Sequence, residues 1–177
     1  MKTIEQQLTR YKSVHLDSRN IKTHIIGIPL IIWAVLILLA CIPLQVTLLT
    51  MSVNVASLFV FLVLIYYACL HKRLALGMFI AIMPLLVSAK WLSELSYGLE
   101  SAIGMFVIGW LFQGLGHKFE GAKPAFIDDL NQLLIGPIFL MAEFYFALGW
   151  EPKLLADITP KAHALRAELD ANKQAKA

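Results

Sequence analysis

The chain has 177 residues, of which 59% are hydrophobic and only 15% are charged. Because soluble domains carry about 25% charged residues, this composition excludes an ordinary water-soluble domain and indicates a membrane protein. The formal net charge of +3 is small and dispersed along the chain, so it gives no indication of a nucleic-acid partner.

Four apolar runs follow a polar N-terminal segment. A helix needs about 20 apolar residues to cross the hydrocarbon core of a bilayer, and each run meets or approaches that length. The runs are Ile25–Ile42, Leu48–Leu70, Leu74–Leu92 and Leu99–Leu115. The predicted fold is therefore an all-α, polytopic membrane helical bundle with four transmembrane spans.

A fifth apolar segment, Asn131–Trp150, contains Gly136-Pro137 and Glu143. The helix after Pro137 would have about 14 residues and a length of about 21 Å, which is short for a straight crossing. The segment is therefore compatible with an interfacial or re-entrant helix, and also with a fifth span. Beyond it, Thr159-Pro160 has the pattern of a helix start, because a capping residue precedes a proline.

Basic residues alternate between dense and sparse from one loop to the next. They cluster before the first run, at Lys72-Arg73 and after the fourth run, whereas residues 43–47 carry no charge. The positive-inside rule predicts this alternation for a chain with a cytoplasmic N-terminus. We therefore expect a membrane-embedded bundle over residues 1–150, which would include any catalytic site, followed by a cytoplasmic, helical and partly mobile tail over residues 151–177.

This topology gathers three histidines at the cytoplasmic face: His15 before the first span, His24 at its start and His117 after the fourth. Ionisable groups at membrane depth are costly and often mark functional sites. An unbroken helix would place His15 and His24 on opposite faces, so a shared metal ion requires a break between them. The polar cluster at residues 17–20 favours such a break.

The fourth span ends in a stripe of polar residues. Gln113, His117 and Glu120 are three or four residues apart, so their side chains lie on one face of the helix. His117 and Glu120 are three residues apart, so both could reach one metal ion. An interfacial or hydrogen-bonded structural histidine remains an alternative at each position. Glu143 either supports a ligand or pairs with a lysine or arginine. His71, in what looks like a solvated loop, and His163, in the tail, are not expected to be metal ligands.

The candidate residues fall in two spaced blocks of the chain. The first block is Tyr11-x3-His15-x4-Asn20-x3-His24-x2-Gly27-x-Pro29. The second is Trp110-x2-Gln113-x2-Gly116-His117-x2-Glu120-x3-Pro124-Ala125. These blocks resemble the signatures of the 2-hydroxy fatty acid dioxygenases, membrane proteins that act in the conversion of phytosphingosine to odd-numbered fatty acids. The resemblance covers roughly residues 1–150.

The resemblance implies a multi-pass, Fe(II)-dependent membrane enzyme that uses O2. The distribution of basic residues places the expected metal site at the cytoplasmic side of a membrane, either a bacterial inner membrane or the endoplasmic reticulum. The resemblance also implies that O2 and a 2-hydroxy fatty acid react by alpha-oxidation to give a fatty acid one carbon shorter. The implied iron ligands are His15, His24 and His117, with Glu120 as a further ligand or a supporting residue. The residues implied to orient ligands or substrate are Tyr11, Asn20 and Gln113.

Two other classes of membrane protein are alternatives. A b-type haem electron-transfer protein would have facing histidines deep within the bundle, whereas these histidines lie at helix ends. A non-enzymatic membrane scaffold would contain negligible metal. The di-iron membrane hydroxylases rely on HxxxH and HxxHH clusters, and the sequence has neither.

Overall fold

The structure, a computed structural model, describes residues 2–48 and 51–175. Over these residues it has seven α-helices, a two-stranded antiparallel hairpin and a short 3-10 turn. The helices are α1 (Ile4–Ser13), α2 (Ser18–Ala40), α3 (Val55–Leu70), α4 (Lys72–Ser93), α5 (Gly98–Glu120), α6 (Gln132–Ala147) and α7 (Pro152–Gln174). The strands are β1 (Gln45–Leu48) and β2 (Met51–Asn54), and the 3-10 turn is Ala125–Ile127.

Three helices, α2, α4 and α5, are long and apolar enough to cross a membrane. Helix α3 is also apolar, but its 16 residues extend over only about 24 Å. The predicted all-α membrane bundle is confirmed, and the small hairpin between α2 and α3 contains the only strands among the described residues.

The second span begins later than its hydropathy predicts. The apolar run starts at Leu48, but the helix starts at Val55, because β2 occupies the residues before it. Asn54 ends the strand and caps the helix, since its side chain accepts a hydrogen bond from the Ser57 amide at 2.8 Å. The predicted start is therefore wrong, because the cap defines the boundary and hydropathy does not.

Helices α6 and α7 form a bent pair with an angle of 119° between them. Such a pair is either a broken span or a re-entrant loop, and α6 covers most of the ambiguous segment Asn131–Trp150. Helix α7 begins at Pro152, so the predicted start near Thr159-Pro160 is wrong and Pro160 lies inside the helix. Pro152 occupies the first turn of α7, where the missing N–H of proline costs no helical hydrogen bond.

The chain forms two compact units, residues 1–22 with 115–177 and residues 23–114, and both boundaries fall within continuous helices. In the first unit, α1 packs against α6 and α7. Its fully buried side chains include Leu8, Phe139 and Ile158, one from each helix. A capping box formed by Thr3 and Gln6 starts α1, which fixes its first turn.

In the second unit, α2 and α5 approach each other closely through two glycines. A Cβ atom at Gly27 would lie 2.8 Å from the main-chain oxygen of Gly109, and one at Gly109 would lie 2.6 Å from the Ile31 side chain. Glycine pairs of this kind allow membrane helices to pack backbone against backbone.

We predict that Gly27→Ala destabilises the protein by about 1–3 kcal/mol, because the added methyl group has no space against Gly109. Gly104→Ala, on the solvent- or lipid-facing side of α5, is the matched control, since no described atom lies within 4 Å of its Cβ position. Thermal unfolding in one detergent measures both variants. Equal melting temperatures for the two would contradict the close approach.

Candidate metal centre

The three predicted histidines come together. Residues 14–17 separate α1 from α2 and supply the expected break between His15 and His24. The ligand nitrogens of His15, His24 and His117 all lie within 4.8 Å of one another. Nitrogens bound to one ion at about 2.1 Å are roughly 3.0–3.5 Å apart, so small side-chain rotations would bring all three within reach of a single ion. His15 and His24 are each 1% exposed, and His117 is partly buried.

A hydrogen bond between Nδ1 of His15 and a main-chain carbonyl group orients the His15 ring. Its Nδ1 atom lies 2.6 Å from the carbonyl oxygen of Tyr11. A carbonyl can only accept, so in the neutral imidazole Nδ1 carries the proton and Nε2 keeps the lone pair that a metal ion would use. Histidine ligands in metal sites are commonly oriented by such a hydrogen bond.

Aromatic rings fix the plane of the His15 imidazole. The Tyr11 ring stacks on it with 4.0 Å between the ring centroids and 1° between the ring planes. Phe139 packs beside both rings, and its ring centroid lies 4.8 Å from that of Tyr11 and 5.7 Å from that of His15. His117 meets His15 edge to face at 4.9 Å. Burial raises the pKa of the Tyr11 phenol, so this ring remains neutral and serves as an apolar support.

Glu120, the last residue of α5, does not join the histidine group. Its carboxylate accepts four hydrogen bonds, from Leu16 N at 3.1 Å, Asp17 N at 2.9 Å, Asn20 Nδ2 at 3.0 Å and Arg166 Nη1 at 2.6 Å. A carboxylate has about four lone-pair sites, so these donors occupy its accepting capacity. Glu120 therefore anchors the segment between α1 and α2.

Two further contacts strengthen this anchor. The Asn20 amide also donates to the carbonyl oxygen of Val14 at 3.3 Å, next to His15 in the sequence. Gly121 ends α5 with a φ of +67°, a conformation that glycine adopts without strain, and its amide donates to the carbonyl of His117. The helix end that carries His117 is thereby fixed.

Gln113 and the two other histidines have separate environments in the structure. Gln113 is buried on α5, where its amide nitrogen would lie 2.5 Å from a Cβ atom at Gly27. His71 caps α4 by accepting a hydrogen bond from the Leu74 amide, and His163 is exposed on α7. Neither of these two histidines belongs to the three-histidine group.

Glu143 forms an ion pair with Lys12, with 2.6 Å between Oε1 and Nζ. The two side chains are 21% and 10% exposed, so the pair is largely removed from water. The Lys12 ammonium also lies over the rings of Phe139 and Phe146, at 5.8 and 5.9 Å from their centroids. This pair joins α1 to α6 beside the aromatic support of His15.

Three supporting residues, Lys12, Phe139 and Arg166, have no role in the sequence-based prediction. Lys12 lies inside the first signature block, directly after Tyr11, and this position is a weak signal. Phe139 lies in the fifth apolar segment and Arg166 in the polar tail, so neither has such a signal.

A helical membrane bundle with three converging histidines defines a candidate metalloprotein of the membrane. The profile of the family described as 2-hydroxy-palmitic acid dioxygenase Mpo1-like matches residues 1–148, and the chain belongs to this family. The 2-hydroxy-palmitic acid dioxygenase MPO1 of Saccharomyces cerevisiae is 31% identical over 158 residues, which cover 88% of this chain and 87% of the yeast protein. No solved structure matches the chain.

We predict that Glu143→Ala lowers the free energy of unfolding by about 1.5–3 kcal/mol, because it leaves the Lys12 ammonium buried without its partner. Asp128→Ala is the matched control, since it removes the partner of Lys123, whose side chain is 62% exposed. We expect Asp128→Ala to lower the free energy of unfolding by less than about 1 kcal/mol. Thermal unfolding of the two variants in the same detergent provides the comparison, and a larger loss in Asp128→Ala would contradict it.

Proposed function

We propose that this protein is an Fe(II)-dependent membrane dioxygenase that converts 2-hydroxy fatty acids, by alpha-oxidation with O2, to fatty acids one carbon shorter. One observation carries the proposal: three histidine nitrogens lie within 4.8 Å of one another in a chain of this family. The name of the yeast relative, a 2-hydroxy-palmitic acid dioxygenase, supplies the substrate class.

The donor set fits iron. Imidazole nitrogens suit both iron and zinc. A dioxygenase reaction requires a redox-active metal, and zinc has no redox chemistry. We assign His15, His24 and His117 as the metal ligands. Bound Fe(II) supplies the redox chemistry and the open coordination positions that a reaction with O2 needs.

The protein's own residues orient the ligands and the substrate. Tyr11 holds the proton of His15 on Nδ1, and Glu120 with Asn20 fixes the segment that carries His15. We assign Glu120 as a positioning residue, because its four hydrogen bonds leave it little capacity for a metal. Gln113 is proposed to orient the substrate, and Glu143 supports the site through Lys12.

The site's location at the end of membrane helices suits an amphipathic substrate. The polar end of a 2-hydroxy fatty acid would lie at the histidines, while its acyl chain would remain among lipid tails and apolar side chains. Basic residues near the same face would attract the carboxylate. We propose that this face is cytoplasmic, with residues 151–177 as a cytoplasmic tail, in a bacterial inner membrane or endoplasmic reticulum.

Turnover of 2-hydroxypalmitate tests the function. We expect the detergent-purified protein, loaded with Fe(II) in the presence of O2, to release a fatty acid one carbon shorter. Palmitate, which lacks the 2-hydroxyl group, is the control substrate, and removal of O2 or iron should abolish the product. An iron-loaded protein without turnover would contradict the proposal, and a haem spectrum or negligible metal would favour one of the alternatives.

Single substitutions test the ligand assignment. We expect His15→Ala, His24→Ala and His117→Ala each to lose bound iron and turnover, because each removes one nitrogen of a three-nitrogen site. His163→Ala, which changes an exposed histidine of α7, should retain both. Elemental analysis of the purified variants measures the iron, and a full complement in any of the first three would exclude that residue as a ligand.

A further inference from the structure

Arg166 lies on α7, beyond residues 1–148 that the family profile matches. Its side chain is only 18% exposed. Nη1 donates to the Glu120 carboxylate at 2.6 Å and to the carbonyl oxygen of Ser13 at 3.4 Å, while Nη2 donates to the Glu120 carbonyl oxygen at 3.0 Å. Nε donates to Asp170, one turn further along α7, at 3.0 Å. Every guanidinium nitrogen therefore has an acceptor.

These contacts join the ends of two helices to the side of a third. Ser13 is the last residue of α1 and Glu120 the last of α5, and Arg166 connects both to α7. Glu120 in turn holds the segment that contains His15, and it lies three residues after His117 on one helix. A displacement of the guanidinium would thus reach two of the proposed metal ligands through a single carboxylate.

We propose that Arg166 is a positioning residue for the metal centre and acts through Glu120. This inference rests on the proposed function, because it assumes that the histidines bind a metal ion. It assigns a role in the site to a helix outside the region that the family profile matches. The guanidinium keeps the Glu120 carboxylate, whose side chain is 2% exposed, in the orientation that holds Leu16 and Asp17.

Arginine is suited to this position by its geometry. Its planar guanidinium directs several N–H groups at fixed angles, so it can bind a carboxylate and nearby carbonyl groups at once. Lysine would keep the charge but has a single nitrogen. Leu154, Ile158 and Ala162 precede Arg166 at four-residue steps and are buried along the same side of α7, so apolar packing also holds this helix in place.

The test compares Arg166→Ala and Arg166→Lys with the wild type and with Lys161→Ala. The control removes one positive charge from an exposed position of the same helix. Co(II) is the probe, because its visible absorption reports both the affinity and the geometry of the site without turnover. A second measurement, hydrogen exchange over residues 14–20, reports the amides that Glu120 holds.

We expect Arg166→Ala to weaken Co(II) binding about tenfold, at the lower end of the effect of removing a residue that orients a metal ligand. Its Co(II) spectrum should change, and the amides of Leu16 and Asp17 should exchange faster. Arg166→Lys should recover part of the affinity, and Lys161→Ala should match the wild type. A fall in melting temperature alone would indicate a purely structural ion pair.

Two outcomes separate this inference from the proposed function. If the wild type binds no Co(II), the metal site is wrong, and the role of Arg166 falls with it. If the wild type binds Co(II) and Arg166→Ala has the same affinity and spectrum, the inference is wrong and the metal site stands. Should Arg166→Ala fail to fold, the same comparison with Arg166→Lys decides, because lysine retains the charge and the helix but not the forked contact.

Discussion

The buried carboxylate of Glu120 is the constraint on which the candidate centre depends. A carboxylate removed from water is stable only when hydrogen-bond donors replace the lost solvent. Here the donors are two main-chain amides between α1 and α2, the amide of Asn20 and the guanidinium of Arg166. Satisfying one charge therefore determines where the segment between the helices lies, and with it the position of His15.

A second constraint acts on the imidazole itself. The Tyr11 carbonyl determines which nitrogen of His15 is protonated, and the stacked Tyr11 ring determines the ring plane. Phe139 supports both rings from α6, where the Lys12–Glu143 pair also joins α1. Packing and hydrogen bonding together thus orient this imidazole in advance, which is the arrangement that a metal site would require for affinity.

Two features of the sequence predict that the three histidines lie close together. The predicted membrane topology places the helix ends that carry them on one face, and the polar residues 17–20 favour a break in the helix between His15 and His24. The role of Glu120 was less predictable, since its spacing from His117 allows a ligand or an anchor equally. Arg166 could not be predicted, because its partner lies 46 residues away and no periodicity in the polar tail indicates a contact.

The charges of the three histidines and of Glu120 indicate what kind of substrate the proposed reaction would favour. Three neutral imidazoles would leave the charge of a bound divalent ion uncompensated, and Glu120 is already paired with Arg166. In a site as buried as that of His15 and His24, such a charge would favour an anion. A 2-hydroxy fatty acid brings its own carboxylate, so the substrate would complete a charge balance that the protein leaves open.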